Sequence, residues 1–310
     1  MNKNWIIMAA IATTLLLWAS AFVGIRAGLE AYSPTHLSLL RYATASIVLL
    51  FYFYKGKNRL PDKQDLPRIM LTGFVGITVY NFALNFGELR VTAGVASFVV
   101  NTVPIFTSIL AVFILKERLR FWGWGAIFLS FIGVAIISLD DLQSLQISGG
   151  VLLLLIAALS QATYFVLQKP LLQKYSPVEV TTYAIIAGTV CMIPFSPHFF
   201  DSLLHTPFAK TLIVIYLGVF PGALAYLSWS FALSKVQAST VSSFLFLVPL
   251  LTLGIAWIGL SEIPTMHTWI GGILILIGVV GMNTLGKAKA MPEKTSTYKK
   301  ECLSKKSRSK

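Results

Sequence analysis

Charge is scarce in this 310-residue chain. Charged residues make up 12% of it and apolar residues 56%, whereas a soluble domain carries roughly 25% charge. Mean hydropathy is +0.75. There is too little polar surface here for an ordinary soluble α/β domain. Cysteine is also scarce. Cys191 lies in an apolar run and Cys302 in a basic tail, so neither a disulfide framework nor a thiolate metal site is expected. The four histidines, His36, His198, His205 and His267, fall near predicted loops. No His/Cys/Asp/Glu cluster has metal-ligand spacing. A P-loop is missing, which argues against an ATP-driven motor. Loops this short offer no credible Ser-His-Asp set. The sequence therefore assigns no catalytic residue, no metal and no cofactor, and an intramembrane enzyme is disfavoured. A membrane sensor or scaffold is disfavoured too, because no soluble domain is present to receive a signal.

What the chain has is apolar runs of about 20 residues, the length that crosses a ~30 Å hydrocarbon core. Ten candidate spans lie near 5–25, 34–54, 66–87, 92–115, 121–139, 148–168, 177–195, 210–233, 238–260 and 266–286. The expected fold class is an all-α polytopic membrane protein with ten transmembrane helices. The first span imitates a signal peptide, with Ala19-Ser20-Ala21 as its cleavage site. That reading is disfavoured because the apolar stretch continues past the cut and has an internal counterpart.

The loops set an expected orientation. With the N-terminus inside, the inner segments hold 21 Lys+Arg and the outer loops three: Arg26, Arg90 and Lys210. Both termini are then cytoplasmic, in a plasma or inner membrane. The net charge of +13 is spread over cytoplasmic loops and a tail, which points away from nucleic acid. The expected partners are a small-molecule solute and the lipid bilayer, with homo-oligomerisation left open.

The chain repeats itself. VPIFTSILAVFILKE at 103–117 returns as VPLLTLGIAWIGLSE at 248–262, with six of fifteen positions identical. Residues 86–134 align without a gap on 231–279, with fifteen of 49 identical, including Ser97/Ser242, Trp124/Trp269 and Gly133/Gly278. Shared apolarity would give Leu/Ile/Val coincidences, not Pro, Glu, Trp and Gly. Upstream the offset is 143: FVGIRAGLEAYSP at 22–34 matches FVLQKPLLQKYSP at 165–177, with Arg26 facing Lys169. Two five-helix halves follow: 1–139 with helices 1–5 and 148–286 with helices 6–10. The basic tail 287–310 is expected to be disordered. Five is odd, so the second half enters from the opposite side. Inverted repeats of this kind are characteristic of secondary transporters.

WASAFVGIRAG in the first span, LLRYATA in the second, the duplicated Pro…Glu segment and the Gly-rich fifth and tenth spans resemble the EamA family of the drug/metabolite transporter superfamily. The resemblance covers about residues 8–286. It implies ten helices, cytoplasmic termini and export or exchange of small metabolites such as amino acids.

Polar side chains within spans face the protein interior, and their spacing forms stripes. Thr78, Asn81, Asn85 and Glu88 share one face of the third span. Ser97, Asn101 and Ser108 share a face with Pro104 in the fourth. Gln161, Tyr164 and Gln168 line the sixth, Tyr226 and Trp229 the eighth, and Thr14 and Trp18 the first. Converging, they would make a cavity of amides and aromatics. Helix–helix hydrogen bonding is the competing role for any one of them. The candidate substrate-binding set is Trp18, Asn81, Asn85, Asn101, Gln161, Tyr164, Tyr226 and Trp229. Pro104 and Pro249 are candidate hinge or cavity-shaping residues, since a helix-interior proline removes a hydrogen bond and kinks the helix. A fixed kink is the alternative. Glu88, Glu117 and Glu262 are candidate gate or coupling residues; an interfacial, structural place is the alternative. Arg41, inside the second span, is expected to snorkel or pair with a helix end more readily than to bind solute.

The lining suggests a neutral or zwitterionic solute. Phosphorylated substrates would want several Lys/Arg in the spans. The first reading is a secondary transporter of an amino acid or related metabolite working by alternating access. The second is a drug or toxic-compound efflux carrier.

Overall fold

The computed structural model describes residues 3–56, 58–90, 96, 99–137, 149–252 and 266–285. Among these the chain is helical and has no strand. In chain order the main helices are α1 Lys3–Leu29, α2 Pro34–Lys55, α3 Leu66–Glu88, α4 Val103–Ile114 and α5 Phe121–Ile137. They continue as α6 Gly149–Lys174, α7 Pro177–Phe195, α8 Phe208–Lys235, α9 Ala238–Thr252 and α10 Met266–Thr284. Six of them, α1, α2, α3, α6, α7 and α8, are long and apolar enough to cross a membrane. The described parts of α4, α5, α9 and α10 are shorter apolar helices. Large apolar side chains such as Ile47, Phe113, Phe128 and Leu152 are exposed; in a soluble monomer so much exposed apolar surface would drive association.

The YSP motif shared by the two halves is a helix start. Ser33 Oγ accepts from the backbone N–H of His36, with Pro34 in the first turn of α2. Its counterpart Ser176 begins α7 with a full capping box. Ser176 Oγ accepts from Glu179 N at 3.2 Å, and the Glu179 carboxylate accepts from Ser176 N at 2.7 Å. Both use the helix-entry chemistry of a side-chain acceptor followed by proline.

Other irregularities repeat as well. A π-helical turn interrupts α3 at Phe74–Val79, and another interrupts α8 at Gly218–Leu224. Gly73 and Gly218, 145 apart, open these turns and allow backbone contact. A Cβ on Gly73 would lie 2.4 Å from the Ala184 carbonyl oxygen of α7, and one on Gly218 would lie 2.5 Å from that of Arg41 in α2. Neither site has room for a methyl group. The pair α3–α7 thus packs as the pair α8–α2 does. In the same way α1 lies against α8 and α6 against α3, each crossing from one half to the other. Gly133 and Gly278 bring α5 onto α10, where a Cβ would lie 2.6 Å from Gly271 O and 2.0 Å from Ser130 Oγ.

The proline helices differ from a simple kink. Before Pro104, the helical residues Val99–Val100 give way to a turn at Asn101–Thr102, and α4 restarts with the proline in its first turn. In α9 an α-helical start, Ala238–Ser243, passes into a 3-10 stretch, Phe244–Leu247, and α-helix resumes just before Pro249. Proline is tolerated in a first turn because its missing N–H is unpaired there anyway. Each helix therefore stops and restarts at its proline. Ser97, the segment 140–146, Glu262 and the tail 287–310 lie outside the described residues.

Candidate functional site

A cavity opens between the two halves. About 540 Å³ of empty space lies within it when its open mouth is counted. Residues of α1, α2, α3, α6, α8 and α9 and the segment leading into α4 form its wall. Most of the wall is aliphatic and aromatic. Its polar and aromatic features are Trp18, Arg41, Tyr80, Asn101, Gln161 and Tyr226.

Four of the eight predicted binding residues reach this wall: Trp18, Asn101, Gln161 and Tyr226. Trp18 and Gln161 are repeat counterparts at the 143 offset. The Trp18 indole donates to the Pro221 carbonyl at 3.3 Å, an oxygen within the π-helical turn of α8. Its ring meets Tyr226 edge-on, with centroids 5.3 Å apart. Gln161 is buried, and its Oε1 has no hydrogen-bond partner.

The other four lie behind the wall. Trp229 packs within the aromatic group, 5.3 Å from Trp18 and 4.5 Å from Phe165. Tyr164 presses on Gly76, where a Cβ would come within 2.3 Å of its ring. Asn85 joins helices: its Nδ2 donates to Pro34 O and to Ser38 Oγ at 2.8 Å, tying α3 to α2. Asn81 donates back to Ile77 O at 2.7 Å and accepts from Arg41 at 3.4 Å. Thr14, Thr78 and Gln168 likewise bond to neighbouring helices, Thr14 to Ala225 O, Thr78 to Gly188 O, and Gln168 by accepting from Ser230.

Pro104 and Pro249 are both buried, beside wall residues Val103 and Val248. Glu88 is 1% exposed, and neither of its carboxyl oxygens is hydrogen-bonded. Glu88 sits inside the bundle at the end of α3. Glu117 follows α4 just past Lys116, which has a left-handed backbone (φ 55°), and bonds to the start of α9. Among the described residues no group of three His/Cys/Asp/Glu is placed to hold a metal.

Two wall residues, Arg41 and Tyr80, were not in the predicted binding set. Arg41 is 3% exposed and on the cavity wall, so it does not snorkel. The available signal was its place, inside a span and near no acidic neighbour. Arg26 and Lys169 were seen as counterparts but given no task. Arg26 donates to Glu88 O at 2.9 Å, and Lys169 donates to the carbonyls of Leu233 and Val236. Glu88 and Leu233 are themselves 145 apart, so each cation caps the C-terminus of the equivalent helix.

Comparison with known proteins agrees with this duplicated plan. The EamA-like transporter family matches twice, at residues 4–139 and 148–284. The chain belongs to the EamA-like transporter family. As an EamA-like transporter it is a multi-pass membrane protein that moves solutes and is not an enzyme. It is 38% identical to the uncharacterized transporter YdfC of Bacillus subtilis (strain 168), over 90% of this chain and 91% of that protein. It is 34% identical to a probable terminal-alkyne amino-acid exporter of Streptantibioticus cattleyicolor, over 90% of this chain and 95% of the relative. A solved crystal structure superposes with a TM-score of 0.74 at 17% identity, covering 90% of this chain and 96% of the other; that likeness concerns the fold alone.

Proposed function

We propose that this EamA-like transporter is a secondary carrier exporting or exchanging a small metabolite, of the amino-acid or related neutral or zwitterionic class, by alternating access. The observation that carries the reading is the cavity wall. It draws on both halves, it is mainly apolar and aromatic, and a few amide and cationic groups interrupt it. Such a wall suits a solute with an apolar body and a small polar head. The exporter relative adds support for the amino-acid class.

The carrier spans the membrane ten times as two inverted repeats, with both termini in the cytoplasm. The paired π-turns, the paired glycine contacts and the cations at equivalent helix ends support the duplication. The charge bias of the loops supports the orientation. Trp18, Asn101, Gln161 and Tyr226 contact the solute. Trp229, Tyr164 and Asn81 hold those residues in place, and Asn85 joins α2 to α3. Pro104 and Pro249 mark where α4 and α9 change shape around the solute, Glu117 and Glu262 act at the gates, and Glu88 is the candidate coupling carboxyl. The largely apolar wall also favours a second reading, efflux of lipophilic drugs.

The test is flux. The purified chain in liposomes should give saturable movement of an unmodified solute without nucleotide. Flux that required ATP, or a solute that emerged altered, would refute the carrier. Side-specific labelling of single cysteines in a cysteine-free background tests the topology. Positions 55–65 and 287–310 should label from the cytoplasmic side and 140–146 from the other; labelling of 140–146 from the cytoplasm would refute the orientation.

A further inference from the structure

Among the described residues Arg41 makes no ion pair. The ion pairs among the described residues join Lys174 to Asp62 and Asp65, His198 to Asp201, and Lys210 to Glu30. Arg41 is in none of them, although it is 3% exposed and stands on the cavity wall. What it has is weak. One guanidinium N–H reaches Asn81 Oδ1 at 3.4 Å, and the group lies 5.2 Å from the centroid of the neighbouring Tyr42 ring. Its Nε is buried and has no partner. A guanidinium stays protonated in proteins, so this buried charge persists, and a buried charge is costly unless it is paired.

Glu88, the buried acid of α3, does not provide the pairing. Both its oxygens are without hydrogen bonds, and it lies beyond ion-pair distance of Arg41. Arg41 therefore stands on the cavity wall with donor capacity unused, and a guanidinium is the group that suits a planar oxyanion. Gln161, whose Oε1 has no hydrogen-bond partner, lines the same wall. Trp18, Tyr80, Tyr226 and Leu84 line it as well.

We propose that Arg41 is the anchor for a solute carboxylate, so that this carrier takes monocarboxylates with an apolar body and rejects the corresponding amines. This rests on the carrier reading above and names the chemical class of its solute. An α-amino acid with a large apolar side chain meets each feature. Its carboxylate meets Arg41, its ammonium meets Gln161 Oε1, and its side chain meets the aromatic wall. A lipophilic amine would bring a second positive charge beside a guanidinium that makes no ion pair among the described residues, and is excluded for that reason.

The test uses the full chain in liposomes with four probes of one carbon skeleton: L-phenylalanine, 3-phenylpropionate, L-phenylalaninamide and phenethylamine. Labelled phenylalanine should enter saturably. 3-Phenylpropionate should compete, while the amide and the amine should not. This series on the unchanged protein stands even if a variant fails to fold. Arg41→Gln should raise the KM for phenylalanine by about tenfold or more, as loss of a charge-assisted pair implies, and Arg41→Lys should recover part of the loss. Competition by the amide or amine equal to that by the acids overturns the inference, as does an unchanged KM in a folded Arg41→Gln protein. If neither acid moves or binds, the inference also fails. Flux of a lipophilic cation in that case would leave the carrier reading standing, and no flux of any solute would end both.

Discussion

The carboxylate of Glu117, beyond the end of α4, accepts a hydrogen bond of 2.8 Å from the backbone N–H of Ala238, the first residue of α9. It also accepts from Ser239 N at 3.2 Å and from Ser239 Oγ at 2.6 Å. A side chain 121 residues away thus caps the N-terminus of α9, where unpaired N–H groups and the helix dipole favour a negative charge. Glu117→Ala should lower stability by about 1 kcal/mol, within the ~0.5–2 kcal/mol range of lost caps. Glu117→Gln should lower it less, because one amide oxygen remains to accept. Thermal unfolding in detergent measures both. Equal effects would mean that the acceptor at this position is immaterial.

Glycine positions separate helix contact from open helix face. Gly218→Ala places its methyl 2.5 Å from Arg41 O, and Gly73→Ala 2.4 Å from Ala184 O. Both neighbours are backbone, so each helix pair must move apart. Each variant should lose at least about 1–3 kcal/mol, as overpacked sites do, with less folded protein on size exclusion. Gly125→Ala meets nothing within 4 Å. It should be neutral or stabilise by up to about 1 kcal/mol through helix propensity. A Gly218→Ala protein as stable as the parent would contradict the close approach of α2 and α8.

Acid should release the loop that joins α2 to α3. Asp65 accepts from Lys174 at 2.5 Å and from the Tyr175 hydroxyl at 2.6 Å. These two hydrogen bonds hold its pKa below the ordinary carboxylate value, the lysine bond being the larger cause. A depressed folded-state pKa means that the contribution is present above the unfolded value of about 3.9. It is lost as pH falls through the folded value. Asp65→Asn should therefore lower Tm at pH 7, and its difference from the parent should shrink as pH falls below the unfolded value and through the lower folded one. Because the pair is at the surface, added salt should shrink the difference at pH 7. A difference that persisted at low pH would show that the carboxylate charge is not what holds this loop.

The two proline breaks should act on movement more than on affinity. Pro104→Ala and Pro249→Ala restore an N–H donor and let each interrupted helix run on. Each should leave solute affinity within about twofold, since neither proline is on the cavity wall, and slow exchange between the outward-open and inward-open forms. Being counterparts at the 145-residue offset, with the halves inverted as proposed, they should bias accessibility in opposite directions. Asn101→Ala, by contrast, should weaken affinity by about 1–3 kcal/mol, the usual cost of leaving a desolvated group without its partner. Binding titrations and counterflow rates on the same preparations separate the two classes. Identical accessibility shifts from both prolines would mean that they are fixed breaks.

The sequence by itself determined the helical elements and their duplication. Span ends agree within a few residues for α3, α7 and α8, because apolar run length and capping residues are local properties of the chain. The YSP motif starts α2 and α7 in the same way because a serine acceptor and a first-turn proline need nothing from the rest of the fold. One end was misplaced: α6 runs on through Pro170 to Lys174, where packing of its last turns, including the buried Leu171 and Leu172, outweighs the proline. Only the tertiary structure decided which polar side chains reach the cavity. Asn85 and Asn101 read alike in a helical stripe, yet the first bonds α2 and the second reaches the cavity. Arg41, expected to snorkel or to pair with a helix end, is buried on the wall. A polar face inside a bundle becomes helix contact or cavity according to where neighbouring helices touch. Here those touch points are set by backbone approach at Gly73 and Gly218 and by the breaks at the π-turns and prolines. Each of these joins residues more than a hundred positions apart or redirects a helix partway along its length, and no local pattern encodes that.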